Sequence, residues 1–206
     1  MSWIRDLLLP RQVDFNAAMM KQAQVARALV ELLHRACVDG DHSALAAIDA
    51  QARKARDLEK HNLRELLDVF ITPYDRESIY RLITQLEWVA LSVRHCRLQL
   101  EHFGLGGEGR YEAIVGRIRE MARTLEDGLA QLGGSSPRQL EREIDRIRAL
   151  YDEVVSHCVQ AAARLDAGQG CLDLLHQRDL LQQLKEIARR IHVAANTLED
   201  MAIKVM

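Results

Sequence analysis

The sequence predicts an all-α fold of six long antiparallel helices, grouped as two three-helix units. Three observations predict it. Apolar residues recur at three- and four-residue spacing almost throughout, the mark of one-sided helices. Strand-like alternation of apolar and polar residues is absent. The composition also favours helix: aromatics are 4%, prolines number 3, and Leu, Ala, Arg, Glu and Gln abound among the 206 residues.

The first helix is expected from about Val13 to Cys37, with Ala18, Val25, Leu29, Leu32 and Ala36 on its apolar stripe. The segment 39–43, Asp-Gly-Asp-His-Ser, breaks it, because glycine and short polar side chains favour turns. A second helix spans about Ala44 to Val69 through Leu45, Ile48, Ala52, Ala55, Leu58 and Leu66. The third begins near Pro73 and carries Ile79, Leu82, Leu86, Val89, Val93 and Leu100. Thr72 is the expected N-cap and Pro73 the pre-set first helical residue. Asp75 and Glu77 put acid in the first turn, where the helix dipole favours it.

Four glycines in the six residues Gly104 to Gly109 cannot hold a helix. They mark the expected division into an N-terminal unit (1–103), a linker (104–109) and a C-terminal unit (110–206), together one domain. The fourth helix is expected over Tyr111 to Leu132, with Ile114, Ile118, Met121, Leu125 and Leu129 inward. Ser136 before Pro137 is a cap for the fifth, which carries Leu140, Ile144, Ile147, Leu150, Val154 and Cys158. A loop around Ala167 to Gly170 leads to the sixth, from about Leu174 to Val205, with Leu180, Leu184, Ile187, Ile191, Ala194, Leu198 and Met201 on its stripe. Helices of this length joined by short loops pack at shallow angles, as bundles do.

Bulk properties exclude several function classes. The net charge is −2 with 28% charged residues, without the basic excess of a nucleic-acid binder. The 4 cysteines are scattered and form no C-x-x-C pair, so neither a zinc site nor a disulfide framework is indicated. No apolar stretch approaches the ~20 residues of a membrane span. The protein is expected to be soluble and cytoplasmic.

No catalytic motif stands out. Glu31 and His34 form an E-x-x-H, but di-iron bundles need two copies on facing helices and one is present. The pairs His95–Cys96 and His157–Cys158 are adjacent in helices, where neighbours point about 100° apart and cannot activate each other. The Gly104 to Gly109 run lacks the Lys-Ser/Thr and the preceding strand of a phosphate loop. Arg53, Lys54 and Arg56 form a basic cluster whose default reading is a solvated face, with an acidic partner or a membrane surface as the other candidates.

Two segments carry a resemblance. Residues 70–83 read FITPYDRESIYRLI, and residues 184–199 read LKEIARRIHVAANTLE. The first resembles the F-I-T-P-x-D-R-E-D-I segment of the PhoU-like phosphate-regulatory proteins, in the branch associated with Pit-type inorganic phosphate transporters. The second resembles that family's closing pattern, L-E-x-x-x-D-x-x-E-D-x-A-N-x-L-E, through Ala194, Ala195, Asn196, Leu198 and Glu199. The resemblance implies a bundle of two three-helix units. It also implies a non-enzymatic accessory or regulatory role in phosphate transport, with a phosphate permease or phosphate-signalling protein as partner. Peripheral membrane contact would come through that partner, and a homo-oligomer is compatible. No nucleic acid is expected.

Family members often hold iron or zinc with acidic E/D-x-x-x-D motifs on two helices of each half. Residues four apart share a helical face, so facing helices can present several carboxylates to shared cations. Here the matching region of the second helix reads Ala-Arg-Lys-Ala-Arg over 52–56. The third reads Glu-Trp-Val-Ala-Leu over 87–91, with Trp88 and Leu91 where acids are expected. The second half keeps Glu141, Asp145 and Glu186, with Arg189, His192 and Val193 at other acidic positions. The expectation is therefore no cofactor. The alternative is one partial iron or zinc site built from Glu141, Asp145, Glu186 and His192, or a metal-binding or di-iron-type bundle; a structural oligomer without ligand is a third reading. Arg189 is expected between the remnant carboxylates, and in a dry core its loss would cost ~3–5 kcal/mol.

Overall fold

The computed structural model describes residues 13–107, 109–134, 137–165 and 170–204, with the side chain of Pro137 also excluded. The Ser136 cap, most of the loop before the last helix, and Val205 lie outside the described residues. Six helices and no strand occur among those described: α1 (Phe15–Val38), α2 (His42–Asp68), α3 (Arg76–Phe103), α4 (Glu112–Gln131), α5 (Pro137–Ala163) and α6 (Cys171–Ile203).

Within the first unit α1, α2 and α3 touch pairwise, and within the second α4, α5 and α6 do the same. The units join where α1 lies on α4 and α3 lies on α6. Four helices thus form a central square, α1–α4–α6–α3, with α2 outside one edge and α5 outside the opposite edge. One apolar cluster runs through it, including Met19, Leu29, Leu86, Ile118, Met121, Ile144, Leu184 and Leu198. Burying such side chains, each contributing ~1.5–3 kcal/mol, holds the units together.

A buried polar rivet crosses the first unit. Gln22, wholly buried on α1, donates from Nε2 to the Ile83 carbonyl of α3 at 2.7 Å. Asn62 on α2 donates from Nδ2 to Gln22 Oε1 at 3.1 Å. One pair of side chains therefore fixes three helices in register, and each satisfies the other's buried amide.

Among the described residues α3 and α4 do not touch, so the 104–111 connection carries the chain diagonally across one bundle end. Gly104 ends α3 in the left-handed conformation (φ 66°), which glycine adopts without steric cost. The Gly107 N–H donates to the Cys37 carbonyl at 3.1 Å, docking the connection on the end of α1. There Gly40 and Gly107 approach so closely that a Cβ on either would meet the other's Cα at 3.6 Å.

The third helix starts later than the sequence predicts. Its N-cap is Asp75, whose carboxylate accepts from Ser78 N at 3.1 Å and Ser78 Oγ at 3.0 Å. Thr72 instead donates from Oγ1 to the Tyr74 carbonyl at 2.7 Å. The reason is Tyr74, which is buried at the bundle end with its hydroxyl against Gly133 of the α4–α5 turn. Seating that ring outweighs one further helical turn. The sixth helix begins at Cys171, three residues before the expected Leu174, after an uncapped Gly170.

Three of the four thiols are buried: Cys37, Cys96 and Cys158. Burial pushes Cys37 up to about 12 and Cys158 to about 11, and raises Cys96 well above its ordinary value. Thiols so held cannot supply thiolate at neutral pH. Only the exposed Cys171 should react promptly with a disulfide reagent at pH 8, giving one equivalent per native chain and four in denaturant. Two or more prompt equivalents in the native protein would contradict this burial.

Candidate functional site

The first of the two resembling segments, 70–83, meets the end of α6, just beyond the second segment, at the end of the bundle where α2 finishes and α3 begins. Ser78 Oγ lies 3.1 Å from Asp200 Oδ2 and 3.1 Å from Lys204 Nζ. Lys204 pairs with Asp200 at 2.9 Å and Asp75 at 3.5 Å, and Arg81 adds a contact to Asp200 at 3.7 Å. The hydrogen bonds from Ser78 hold the Asp75 carboxyl below its ordinary value, and that from Lys204 does the same for Asp200. This clasp ties the start of α3 to the end of α6.

Beside the clasp the 69–75 loop is held from within. Arg76 donates from both terminal nitrogens to the Leu66 and Val69 carbonyls, closing the exposed end of α2. Val69 and Tyr74 are buried. Between them Phe70 is 93% exposed and Ile71 78%, and just before them Leu67, at the last turn of α2, is 79% exposed. Tyr80 and Ile203 are also exposed at this end. Scattered exposed apolar residues are ordinary, but large ones grouped on an anchored loop mark an interaction surface. A recess of about 480 Å³ adjoins it, between Val13–Asn16 and Ile71–Pro73. Sequence reasoning read 70–83 as a helix start and missed this outward face. The available signal was that Leu67 and Ile71 fall off the α2 stripe; Phe70, eighteen residues after Ala52, lies on it and gave no warning.

The candidate metal residues do not converge. Asp145 is exposed and pairs with Arg148 at 3.1 Å, and Arg148 also pairs with Glu199 at 2.5 Å. Glu141 is exposed on the same helix. Glu186 receives Arg189 in a two-pronged contact at 2.7 and 2.8 Å and Arg190 at 2.6 Å, and the Arg189 contact is the first reason its carboxyl is held low. His192 stacks on Tyr151 at 4.7 Å; partial burial, then the Arg148 charge, disfavour its protonation. Among the described residues no group of three or more His, Cys, Asp or Glu side chains could hold a metal ion. Asp145 and Glu186 are engaged by arginines, and Glu141 stands apart on the exposed face, which does not suit a shared iron or zinc cluster. Arg189 does satisfy Glu186, but the expected dry setting is corrected. Its side chain is 46% exposed, a setting in which a pair contributes ~0–1 kcal/mol.

The other polar motifs have structural partners. Glu31 is held by Arg123 at 2.6 Å and lies 3.9 Å from Arg27. His34 faces Glu112 at 3.3 Å, out of hydrogen-bond alignment. Cys158 donates to the Leu181 carbonyl at 3.7 Å, while His95 is exposed.

Two grooves remain. One of about 620 Å³ follows α4 and α5 and includes Arg117, Arg119, Glu120, Arg123, Arg146 and His157. Its charges are largely matched, with Glu120 taking Arg146 at 2.5 Å and Glu153 taking Arg117 at 2.5 Å. The other, about 180 Å³, lies between α2 and α3 and is lined by Ala52, Arg53, Arg56, Glu87, Leu91 and Arg94. Here the segments 52–56 and 87–91 do face each other, but Arg53 and Arg56 stand opposite the one remaining carboxylate, Glu87, and Leu91.

No family model matches the chain. A crystal structure of a PhoU-like protein from Shewanella oneidensis MR-1 matches with a TM-score of 0.78 at 11% identity, over 92% of this chain and 100% of the other. The fold is PhoU-like. A second structure, of a putative PhoU-like phosphate regulatory protein from the same organism, matches with a TM-score of 0.79 at 12% identity, over 93% and 100%. In sequence the chain is similar to the UPF0111 protein YkaA of Bacillus subtilis (strain 168), 23% identical over 145 residues, or 69% of this chain and 70% of that one. Among the described residues no helix is long and apolar enough to cross a membrane.

Proposed function

We propose that this PhoU-like bundle is a non-enzymatic, cytoplasmic accessory or regulator of inorganic phosphate uptake, of the kind associated with Pit-type transporters. It acts by contact with a phosphate permease or a phosphate-signalling protein. The observation that carries this reading is the anchored apolar end formed by Phe70 and Ile71, within the segment that resembles the family, and by the adjoining Leu67. A rigid loop costs little entropy to present, so its apolar side chains can contribute fully on contact. Any approach to the membrane would come through the permease.

Deleting the gene should alter phosphate uptake or the phosphate-starvation response. Phe70→Ser with Ile71→Ser should reproduce the deletion while leaving the thermal midpoint unchanged, since neither side chain is in the core. Normal uptake kinetics and an unchanged starvation response in the deletion strain would remove the reading. A deletion phenotype rescued fully by the double variant would remove only the contact surface.

A further inference from the structure

The groove between α2 and α3 gathers Arg53, Arg56 and Arg94, whose charges are only partly matched. Arg53 has no ion pair among the described residues. Arg56 comes to 3.6 Å of Glu87 through Nε, too far for a hydrogen bond. Arg94 reaches Asp49 only through Nε, at 3.2 Å. Among the described residues no terminal nitrogen of these three arginines donates a hydrogen bond. Arg56 and Arg94 remain 53% and 45% exposed, so the groove is open to solvent.

Glu87 fixes the geometry. Its side chain is 8% exposed, set in the α3 face beside Leu91 and opposite Ala52. A carboxylate this buried needs a cation, and Arg56 supplies it. That contact uses the Nε edge of the guanidinium and leaves the terminal fork free. Around the groove Arg53, Arg56 and Arg94, with Arg97 sharing Asp49 at 3.4 Å beside Arg94 at 3.2 Å, face Glu87, Asp49 and the nearby Glu59, whose carboxyl burial and the Glu87 charge push up. The α4–α5 groove, in contrast, meets most of its arginines with carboxylates.

We propose that this groove binds a tetrahedral oxyanion, either inorganic phosphate or the phosphate group of a larger molecule, between Arg53, Arg56 and Arg94. Guanidinium groups match phosphate oxygens through paired, charge-assisted hydrogen bonds. The 180 Å³ of space suits a single such group, and Ala52 and Leu91 give it an apolar floor. The positions that would hold cations in a metal-bearing relative are here of opposite sign. The inference rests on these side chains alone, so it and the regulatory reading can fail separately.

The test is calorimetric titration of the full chain at low ionic strength with inorganic phosphate and with phenyl phosphate, using chloride as control. Phosphate or phenyl phosphate should bind saturably with one site per chain. Arg53→Gln and Arg56→Gln should each weaken binding by about tenfold or more, the expected loss of a charge-assisted contact. Arg117→Gln, in the matched α4–α5 groove, should leave binding unchanged. Circular dichroism and thermal midpoints check that each variant is folded. Tighter binding of phenyl phosphate would assign the site to a phosphorylated larger molecule, and tighter binding of inorganic phosphate to the free ion. The proposal is overturned if neither ligand binds above chloride, if the Arg53 and Arg56 variants bind like the wild type, or if Arg117→Gln weakens binding equally.

Discussion

Phe15→Ala is expected to lower the stability of the bundle by about 3–5 kcal/mol, the usual range for deleting a buried aromatic ring. Phe15 is the first residue of α1 and is wholly buried. The neighbouring Asp14 caps the helix by accepting from Ala17 N at 3.0 Å, so the backbone at this end is fixed. It cannot collapse easily onto a cavity, and the cost belongs toward the top of that range. A domain of this kind has only ~5–15 kcal/mol in total, so the loss should appear as a large drop in the urea midpoint. Phe70→Ala supplies the contrast, because that ring is 93% exposed and should change stability by less than about 0.5 kcal/mol. Equal effects for the two phenylalanines would show that one of these burial assignments is wrong.

Gln22→Ala is expected to cost about 3 kcal/mol, by a different route. The substitution opens space between α1, α2 and α3 and strips Asn62 of its acceptor. The Asn62 amide would keep only the distant Ala18 carbonyl, at 3.5 Å. An orphaned buried amide costs ~1–3 kcal/mol, and the cavity adds to it. The double variant Gln22→Leu with Asn62→Leu removes both polar groups while keeping volume, and should lose less than Gln22→Ala alone. The comparison is read from urea unfolding of the three variants. A double variant that loses the sum of its two single changes would mean the amides do not act as a pair.

Periodicity alone located all six helices, because each buries one stripe and exposes the rest. Their ends were less legible. Thr72-Pro73 and Asp75 through Ser78 are both sound helix starts by local rules, and nothing in the chain ranks them. The choice fell to Tyr74, whose ring has a pocket only once the α4–α5 turn is in place. The sixth helix began early for a related reason, since Gly170 offers no capping side chain to mark its start.

The candidate sites divide in the same way. The loss of acids at 52–56 and 87–91 could be read directly, and so could the arginines that replace them. What those arginines do could not. Glu141 and Asp145 form an intact acidic pair in the sequence, yet on the folded helix they face solvent, and Asp145 turns to Arg148. Arg53 and Arg56 read as a solvated face on a helical wheel, yet they line a groove because α3 brings Glu87 and Arg94 alongside them.

The chain by itself determined the helical class, the helix count and the scarcity of acids over 52–56 and 87–91, because these depend on residue type and local spacing. Tertiary structure decided which helices form the central square, where α3 starts, and which apolar residues stay outside. It also turned scattered arginines into one groove. Those outcomes depend on which helix faces lie together, and a spacing of three or four residues cannot specify its partner.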